Sequence, residues 1–246
     1  MITTSTFAES GFVKIPGFLN PKECQRLLKV VHRFHSLWME ENLQYFHQGV
    51  INSSNLTKGN VLDDEQRLVL FKLISSDSLV SLVQPLLNTR PRFMGTQLFF
   101  DPYDVQQANY WHRDGQYHLD LEQQKQALID QQVVHCRIAL LQEKGIEVIP
   151  GTHKRWDTDT ELAVRLEQGG RVKSDMLPNS QAVPLDAGDL LIFSANMLHR
   201  GLYGNGRYAL DILYCDDKPE LTAFVQPDSL PSARQSKLLD NPIIFQ

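Results

Sequence analysis

The chain has 246 residues, enough for one sizeable domain, and its 42% hydrophobic and 22% charged residues are typical of a soluble globular protein. A net charge of −5 without a long run of lysine or arginine argues against nucleic acid as the main partner. No apolar stretch reaches membrane-spanning length, and the first residues lack the basic start and apolar core of a signal peptide, so we expect neither membrane nor export.

The N-terminal third is predicted to be largely helical. A short strand within residues 11–19 is followed by Asn20, Pro21 and Glu23, a pattern typical of a helix start. Apolar residues then recur at helical spacing as far as Trp38. Residues 42–60 are polar and predicted to be irregular, and further helices are predicted at 63–74 and 77–87, with Pro85 poorly placed in the second.

Beyond Pro91 the pattern favours strands. Runs of apolar and β-branched residues bounded by turn signals predict strands at 92–100, 133–141, 147–149, 189–193 and 208–214. Short helices are predicted within 115–132 and 159–168. Helices followed by strands predict a mainly β fold, a sandwich or barrel with the helices packed outside it.

The most informative motif is Trp111-His112-Arg113-Asp114, followed far downstream by His199 and Arg207. Two imidazoles and one carboxylate cover one face of a metal ion and leave the other open, as in non-haem Fe(II) oxygenases. Residues two apart on an extended backbone project to the same side, so His112 and Asp114 can bind one ion. Taken singly, each has an ordinary structural explanation: His112 and Asp114 could be a surface pair, His199 a loop histidine and Arg207 an arginine at a strand edge. Their order along the chain, each at the end of a predicted strand, favours the metal site.

Four segments carry a resemblance to the phytanoyl-CoA dioxygenase family of Fe(II)- and 2-oxoglutarate-dependent oxygenases. They are ESGFVKIPGFL at 9–19, WHRD at 111–114, GIEVIPGTHK at 145–154 and LDAGDLLIF at 185–193 with His199 after it. The resemblance spans nearly the whole chain, and the segments occur in the family's order.

The resemblance implies a double-stranded β-helix, a cupin-like jelly-roll, in a single domain of residues 1–246. Residues 1–90 would be its largely helical part, 91–217 the jelly-roll core and 218–246 a C-terminal extension. It further implies that His112, Asp114 and His199 bind Fe(II) and that Arg207 pairs with the distal carboxylate of 2-oxoglutarate. Oxygen would be the second co-substrate, and an unactivated C–H bond would be oxidised. Since Asp114 fills the third ligand position, the pattern favours hydroxylation, desaturation or a related oxidation over halogenation.

Two features depart from the family pattern. The spacing from His199 to Arg207 is short, so the turn between them must be tight, which its glycines and Asn205 permit. Gly201 stands where family members often carry a small hydroxyl residue that contacts the co-substrate.

Further polar residues are candidates for the same site. Gln97, and less strongly Asn109, are predicted to bind the metal-side carboxylate of 2-oxoglutarate, with a solvent-facing side chain as the alternative. Arg137 and Asp211 interrupt apolar strands; an internal ion pair is favoured over substrate binding.

Three other histidines are not expected to bind metal. His153, in the Pro-Gly-Thr-His turn, is predicted to be structural. His32 and His35 are predicted to lie on a solvated helix face, because no third ligand lies nearby.

The sequence therefore predicts an oxygenase acting on a small metabolite, as a monomer or homodimer. A zinc hydrolase with the same ligand set and a catalytically silent binding protein are the alternatives. Three isolated cysteines, without a paired motif, predict reduced thiols and a cytoplasmic protein.

Overall fold

Two antiparallel sheets form the centre of the fold in residues 4–246, the part of the chain that the computed structural model describes. Their strands in chain order are β1 (Phe12–Ile15), β2 (Asn52–Ser54), β3 (Arg92–Phe100), β4 (Val133–Ala139), β5 (Glu143–Val148), β6 (Gln181–Leu185), β7 (Leu190–Ser194), β8 (His199–Gly201) and β9 (Tyr208–Cys215). The larger sheet has the order β1-β7-β4-β9-β3-β2, and the smaller has the order β6-β5-β8. The mainly β jelly-roll with flanking helices is confirmed.

The α-helices of the described residues, the longest of which precede β3, are distributed along the chain. They are α1 (Thr4–Ser10), α2 (Pro21–His47), α3 (Asp64–Ile74), α4 (Asp77–Val83), α5 (Leu121–Asp130), α6 (Asp159–Arg165), α7 (Pro219–Thr222) and α8 (Ala233–Ser236). The predicted start of α2 is confirmed: the Asn20 side chain accepts hydrogen bonds from the backbone amides of Lys22 and Glu23, and the Glu23 carboxylate accepts one from Asn20.

Several predicted boundaries were wrong. Residues 42–47 are helical, because α2 continues past a local break at Asn42, and residues 52–54 form β2 rather than irregular chain. Helix α4 ends at Val83 because Pro85 lies in a separate 3-10 turn. Strand β5 begins four residues before the predicted position, and β6 and β8 were not predicted, since both are short and lack a long apolar run.

The apolar core has two main layers. Helices α2, α3 and α4 bury their apolar faces, including Phe34, Phe71 and Val83, against the larger sheet. A second cluster fills the space between the two sheets; its members are Ala139, Ile146, Val148, Val183, Leu185, Leu191, Phe193 and Met197. Burial on this scale supplies most of the driving force for folding and fixes the sheets against each other.

No single helix among the described residues is long and apolar enough to cross a membrane. Two consecutive helical segments, Asp64–Ile74 and Asp77–Leu86, are long and apolar enough only when they are taken together, and they are bent by 45° relative to each other. The apolar residues Leu70, Phe71 and Ile74 of the first segment are fully buried in the core described above.

The three histidines that were not expected to bind metal, His32, His35 and His153, lie in different environments. His153 is buried and lies against Gly11 and Phe7, which agrees with the predicted structural role. His32 is exposed, as predicted. For His35 the prediction of a solvated face is wrong: its ring packs against Phe100 with 4.6 Å between ring centroids, and burial lowers its pKa to about 4.

Candidate active site

His112, Asp114 and His199 come together at one end of the two sheets. His112 and His199 form an isolated antiparallel bridge with reciprocal backbone hydrogen bonds of 3.0 and 3.1 Å. Asp114 Oδ1 lies 3.5 Å from His112 Nε2 and 3.7 Å from His199 Nε2. The backbone of Arg113 is extended (φ −115°, ψ 140°), which directs the two flanking side chains to the same side. One ligand atom from each of the three residues lies within 4.8 Å of the others, close enough to share one ion.

Backbone carbonyls orient both imidazoles. His112 Nδ1 lies 3.2 Å from the carbonyl oxygen of Tyr110, and His199 Nδ1 lies 3.0 Å from that of Met197. Since a carbonyl only accepts, both Nδ1 atoms carry the proton and both Nε2 lone pairs face Asp114. Burial lowers the pKa of His112, and it lowers the pKa of His199 to about 3. Both rings are thus neutral at physiological pH, the form that binds metals.

The outer oxygen of Asp114 has its own partner, a residue that the sequence analysis missed. His135 Nε2 lies 2.8 Å from Asp114 Oδ2, and His135 Nδ1 lies 3.2 Å from Asp211 Oδ2. Although burial opposes ionisation, the neighbouring histidines hold the pKa of Asp114 below its usual range. Burial also opposes protonation of His135, but Asp114 and Asp211 raise its pKa to about 9. His135 lies two residues before Arg137 on β4, so strand alternation could have placed it on the same face.

Arg207 lies deep in the same region with unused donors. It is 1% exposed, its Nε is 3.5 Å from Glu143 Oε2, and among the described residues neither its Nε nor its Nη1 has a hydrogen-bond partner. The guanidinium lies 5.1 Å from the ring centroid of Phe99. Burial lowers its pKa to about 10, so it remains charged at neutral pH. A buried guanidinium with free donors fits a carboxylate.

The predicted internal ion pair of Arg137 forms, with a main partner that was not predicted. Arg137 donates to both carboxylate oxygens of Glu143 at 2.8 and 2.9 Å, and its Nη1 lies 3.6 Å from Asp211 Oδ1. Both acidic residues are almost fully buried. Glu143 begins β5 and also faces Arg207, so a single carboxylate sets the spacing of the two arginines.

The turn that leads into Arg207 is held by Asp101. Its carboxylate accepts hydrogen bonds from the backbone amides of Gly204, Gly206 and Arg207 at 2.6, 3.0 and 3.1 Å. Gly204 and Gly206 adopt positive φ angles, which explains how the turn stays short. A Cβ at Gly201 would lie 3.0 Å from both Nη atoms of Arg207, so glycine leaves space for the guanidinium at this position.

Arg113, which lies between His112 and Asp114, fixes the position of this segment through buried hydrogen bonds. Its guanidinium donates to the carbonyl oxygens of Thr152 and Asn196 and to Asp157, whose other oxygen accepts from Arg165 at 2.6 Å. Arg113 and Arg165 are 3% and 1% exposed, so these are internal contacts. They hold the 112–114 segment against the turn that carries His153.

A cavity of about 670 Å³ connects these groups to solvent. His112, Asp114, His199, Arg207 and Gln97 all line it. Gln97 faces Asp211 across the β3–β9 pair. The lining that the structure describes does not include Asn109, so a role for that residue stays a prediction.

Comparison with known proteins gives a family match and a shared fold. The sequence model of the phytanoyl-CoA dioxygenase family matches residues 7–203. No curated protein sequence matches the chain significantly.

Three solved structures illustrate the shared fold. AviO1 from Streptomyces viridochromogenes is 20% identical, with a TM-score of 0.61 over 87% of this chain and 93% of that chain. HygX from Streptomyces hygroscopicus, with nickel and 2-oxoglutarate bound, is 16% identical, with a TM-score of 0.62 over 88% of each chain. The α-ketoglutarate-dependent epimerase SnoN from nogalamycin biosynthesis is 17% identical, with a TM-score of 0.56 over 87% of this chain and 81% of that chain. Identities this low show the fold alone.

Proposed function

The chain belongs to the phytanoyl-CoA dioxygenase family, and on that premise we propose that it is an Fe(II)- and 2-oxoglutarate-dependent oxygenase that hydroxylates a C–H bond of a small metabolite. The proposal rests on one observation: the candidate metal ligands and the buried Arg207 line the same cavity. The three ligands lie within 4.8 Å of one another, and the arginine has free donors. An oxygenase of this type needs both features together.

The donor set fits a ferrous ion. His112 and His199 each present a neutral Nε2, and Asp114 presents one oxygen while His135 occupies the other. Two imidazoles and one carboxylate on one face match the arrangement of non-haem Fe(II) sites. The iron and 2-oxoglutarate found in the structures of SnoN and HygX agree with this choice of cofactors.

Arg207 is proposed to hold the distal carboxylate of 2-oxoglutarate. Its Nη1 has no hydrogen-bond partner among the described residues, while its Nε faces Glu143 at 3.5 Å, so the guanidinium can form charge-assisted hydrogen bonds to a carboxylate. Phe99 packs against the guanidinium, with 5.1 Å to the ring centroid. Gln97 lines the same cavity and is proposed to donate to the metal-side carboxylate. Burial of Arg207 makes its interaction with a carboxylate stronger than it would be in water.

When bound, ferrous iron with 2-oxoglutarate and oxygen supplies the oxidising power for cleavage of an unactivated C–H bond. The protein orients the target carbon, excludes bulk water and keeps the ligand face fixed. Because Asp114 fills the third ligand position, hydroxylation is favoured over halogenation. SnoN is an epimerase and SnoK a carbocyclase, so epimerisation and ring closure are the competing outcomes that product analysis must separate.

Two other functions have less support. A zinc hydrolase would use the same three ligands but would leave the buried Arg207 without a role. A catalytically silent binding protein would have no need for two imidazoles oriented by backbone carbonyls.

The proposed function is tested by adding Fe(II) and 2-oxoglutarate to the protein without oxygen. We expect a weak visible charge-transfer band in the wild type and its loss in Arg207→Ala at the same 2-oxoglutarate concentration. Arg234→Ala is the matched control, since Arg234 is exposed and lies outside the cavity lining. No band in the wild type, or an undiminished band in Arg207→Ala, would overturn the assignment. Succinate release in air then separates a working oxygenase from a silent one.

A further inference from the structure

The open end of the cavity is formed partly by a segment beyond the family match. After β9 the chain continues through α7, and Glu220, Leu221, Phe224 and Gln226 line the cavity. We call residues 219–226 the C-terminal strap. Glu220 is exposed, whereas Arg207 and Asp211 at the other end are 1% exposed, so the strap lies where solvent enters. The family model matches residues 7–203, so the strap lies outside the matched range.

Exposed aromatic rings mark this open end. Phe224 is 41% exposed and lies 5.0 Å from the ring of His118, measured between centroids. Tyr117, another cavity-lining residue, is 53% exposed. Exposed aromatic side chains that converge on a pocket are typical of ligand contact, because they offer apolar area at a small cost in side-chain entropy. These two rings therefore offer apolar area that a substrate can contact.

Positive charge, by contrast, is scarce along the cavity. Among the described residues that line it, Arg137, Arg207 and His135 are the basic groups other than the candidate metal ligands and His118, and no lysine is present. Arg137 is committed to Glu143 through two hydrogen bonds, and His135 is engaged by Asp114 and Asp211. In the proposed function Arg207 is committed to 2-oxoglutarate. A second anion would therefore enter without a cationic partner, which is strongly unfavourable in a desolvated site.

Negative charge is present at both ends of the cavity. Asp114 and Asp211 lie at the closed end, and Glu220 lies on the strap. No ion pair or hydrogen bond that the structure describes engages the Glu220 carboxylate. Its charge therefore remains available to a ligand at the open end.

We propose that the primary substrate is a small amphipathic molecule without an anionic group, whose apolar part contacts Tyr117 and Phe224 and for which Glu220 favours an amine. This inference rests on the proposed function, because it assigns Arg207 to the co-substrate. It excludes primary substrates whose carboxylate or phosphate group must enter the cavity.

The test uses three probes of one skeleton: phenethylamine, phenethyl alcohol and phenylacetate. Their binding is measured by ligand-observed NMR on the full-length protein with Ni(II) and saturating 2-oxoglutarate, without oxygen. We expect the amine and the alcohol to bind and the acid to bind at least tenfold more weakly than the amine. Binding of the acid as tightly as the amine, or of none of the three, would overturn the proposal.

Variants of Glu220 on the C-terminal strap test whether this residue causes the preference for the amine. Glu220→Gln should weaken amine binding about threefold, the scale of one exposed charge pair, and leave the alcohol unchanged. Glu220→Lys should reduce the preference for amine over acid further. Glu40→Gln is the matched control, since Glu40 is exposed on α2. An unchanged amine-to-alcohol ratio in both Glu220 variants would contradict the role of Glu220.

The same samples separate this inference from the proposed function. If 2-oxoglutarate itself fails to bind in the presence of Ni(II), the proposed function fails. If it binds and the acid is preferred, only the substrate class fails. A metabolite screen for stimulated succinate release, sorted by ligand charge, gives a second measurement: a strongly stimulating anion would also overturn the substrate class.

Discussion

His135 donates a hydrogen bond of 2.8 Å to the outer carboxylate oxygen of Asp114, and this contact leaves only the inner oxygen directed at His112 and His199. The other ring nitrogen of His135 faces Asp211 at 3.2 Å. Since His135 is only 4% exposed, water cannot easily replace it. The pair therefore fixes which oxygen of Asp114 is available to a metal ion.

Replacing His135 should weaken metal binding. His135→Phe removes the donor to Asp114 and leaves one oxygen of Asp114 and one of Asp211 without this partner, so we expect Ni(II) or Co(II) affinity to fall by about 10- to 100-fold. His135→Gln retains one donor and should give an intermediate value. Isothermal titration calorimetry measures the affinity, with His32→Phe as the exposed control. A folded His135→Phe protein with wild-type affinity would refute this role.

Gly201→Ala should weaken 2-oxoglutarate binding without weakening metal binding. The new Cβ would lie 3.0 Å from both Nη atoms of Arg207, so the guanidinium must shift by a few tenths of an ångström from the position proposed to bind the co-substrate. We expect the dissociation constant of 2-oxoglutarate to rise about tenfold, the equivalent of ~1.4 kcal/mol. Gly59→Ala is the matched control, because its Cβ would meet only ordinary contacts at 3.6 Å and beyond. Equal or tighter binding in Gly201→Ala would contradict this explanation of the glycine.

Gly145→Ala should destabilise the fold. Gly145 has a φ of +77°, and a Cβ there would lie 1.8 Å from the carbonyl oxygen of Val183 on the neighbouring strand. Relief of this overlap requires β5 and β6 to separate locally, so we expect the free energy of unfolding to fall by about 2 to 4 kcal/mol. Urea denaturation of the metal-free protein measures it, again beside Gly59→Ala. A loss below about 1 kcal/mol would show that the strands move apart easily.

His35 should make stability depend on pH. Burial lowers its folded-state pKa to about 4, from an ordinary value of 6.5, so the unfolded chain binds the proton more readily. The stability that neutral His35 contributes is complete above pH 6.5 and is lost as the pH falls towards 4. His35→Phe should therefore lose less stability than the wild type between these values, measured as the thermal midpoint. His47→Phe, at an exposed histidine of the same helix, should follow the wild type.

The sequence was informative where function and local geometry coincide. His112 and Asp114 flank Arg113, whose backbone is extended, so the alternation of side chains along an extended chain predicts that both point the same way. The start of α2 follows from Asn20, Pro21 and Glu23, because a helix cap depends on neighbours a few residues apart. Such features need no knowledge of tertiary structure.

Contacts between distant segments could not be predicted in the same way. The partnership of His135 with Asp114 depends on how β4 packs against the motif, and Glu143 reaches Arg137 only through the reversal between β4 and β5. Helix α2 passed its predicted end because its last residues, such as Phe46, pack on aromatic side chains that include Phe100 and Tyr103. Tertiary packing overrides local preference at such positions.

The backbone bridge between His112 and His199 holds the two imidazoles with 4.2 Å between their ring centroids. These residues are far apart in the chain, so the bridge depends on the tertiary fold, in which β8 pairs with β5. An ion that binds both histidines therefore binds the folded state in preference to the unfolded chain. Metal occupancy and resistance to unfolding are therefore thermodynamically linked, and the supply of metal would influence how long a molecule of this protein survives.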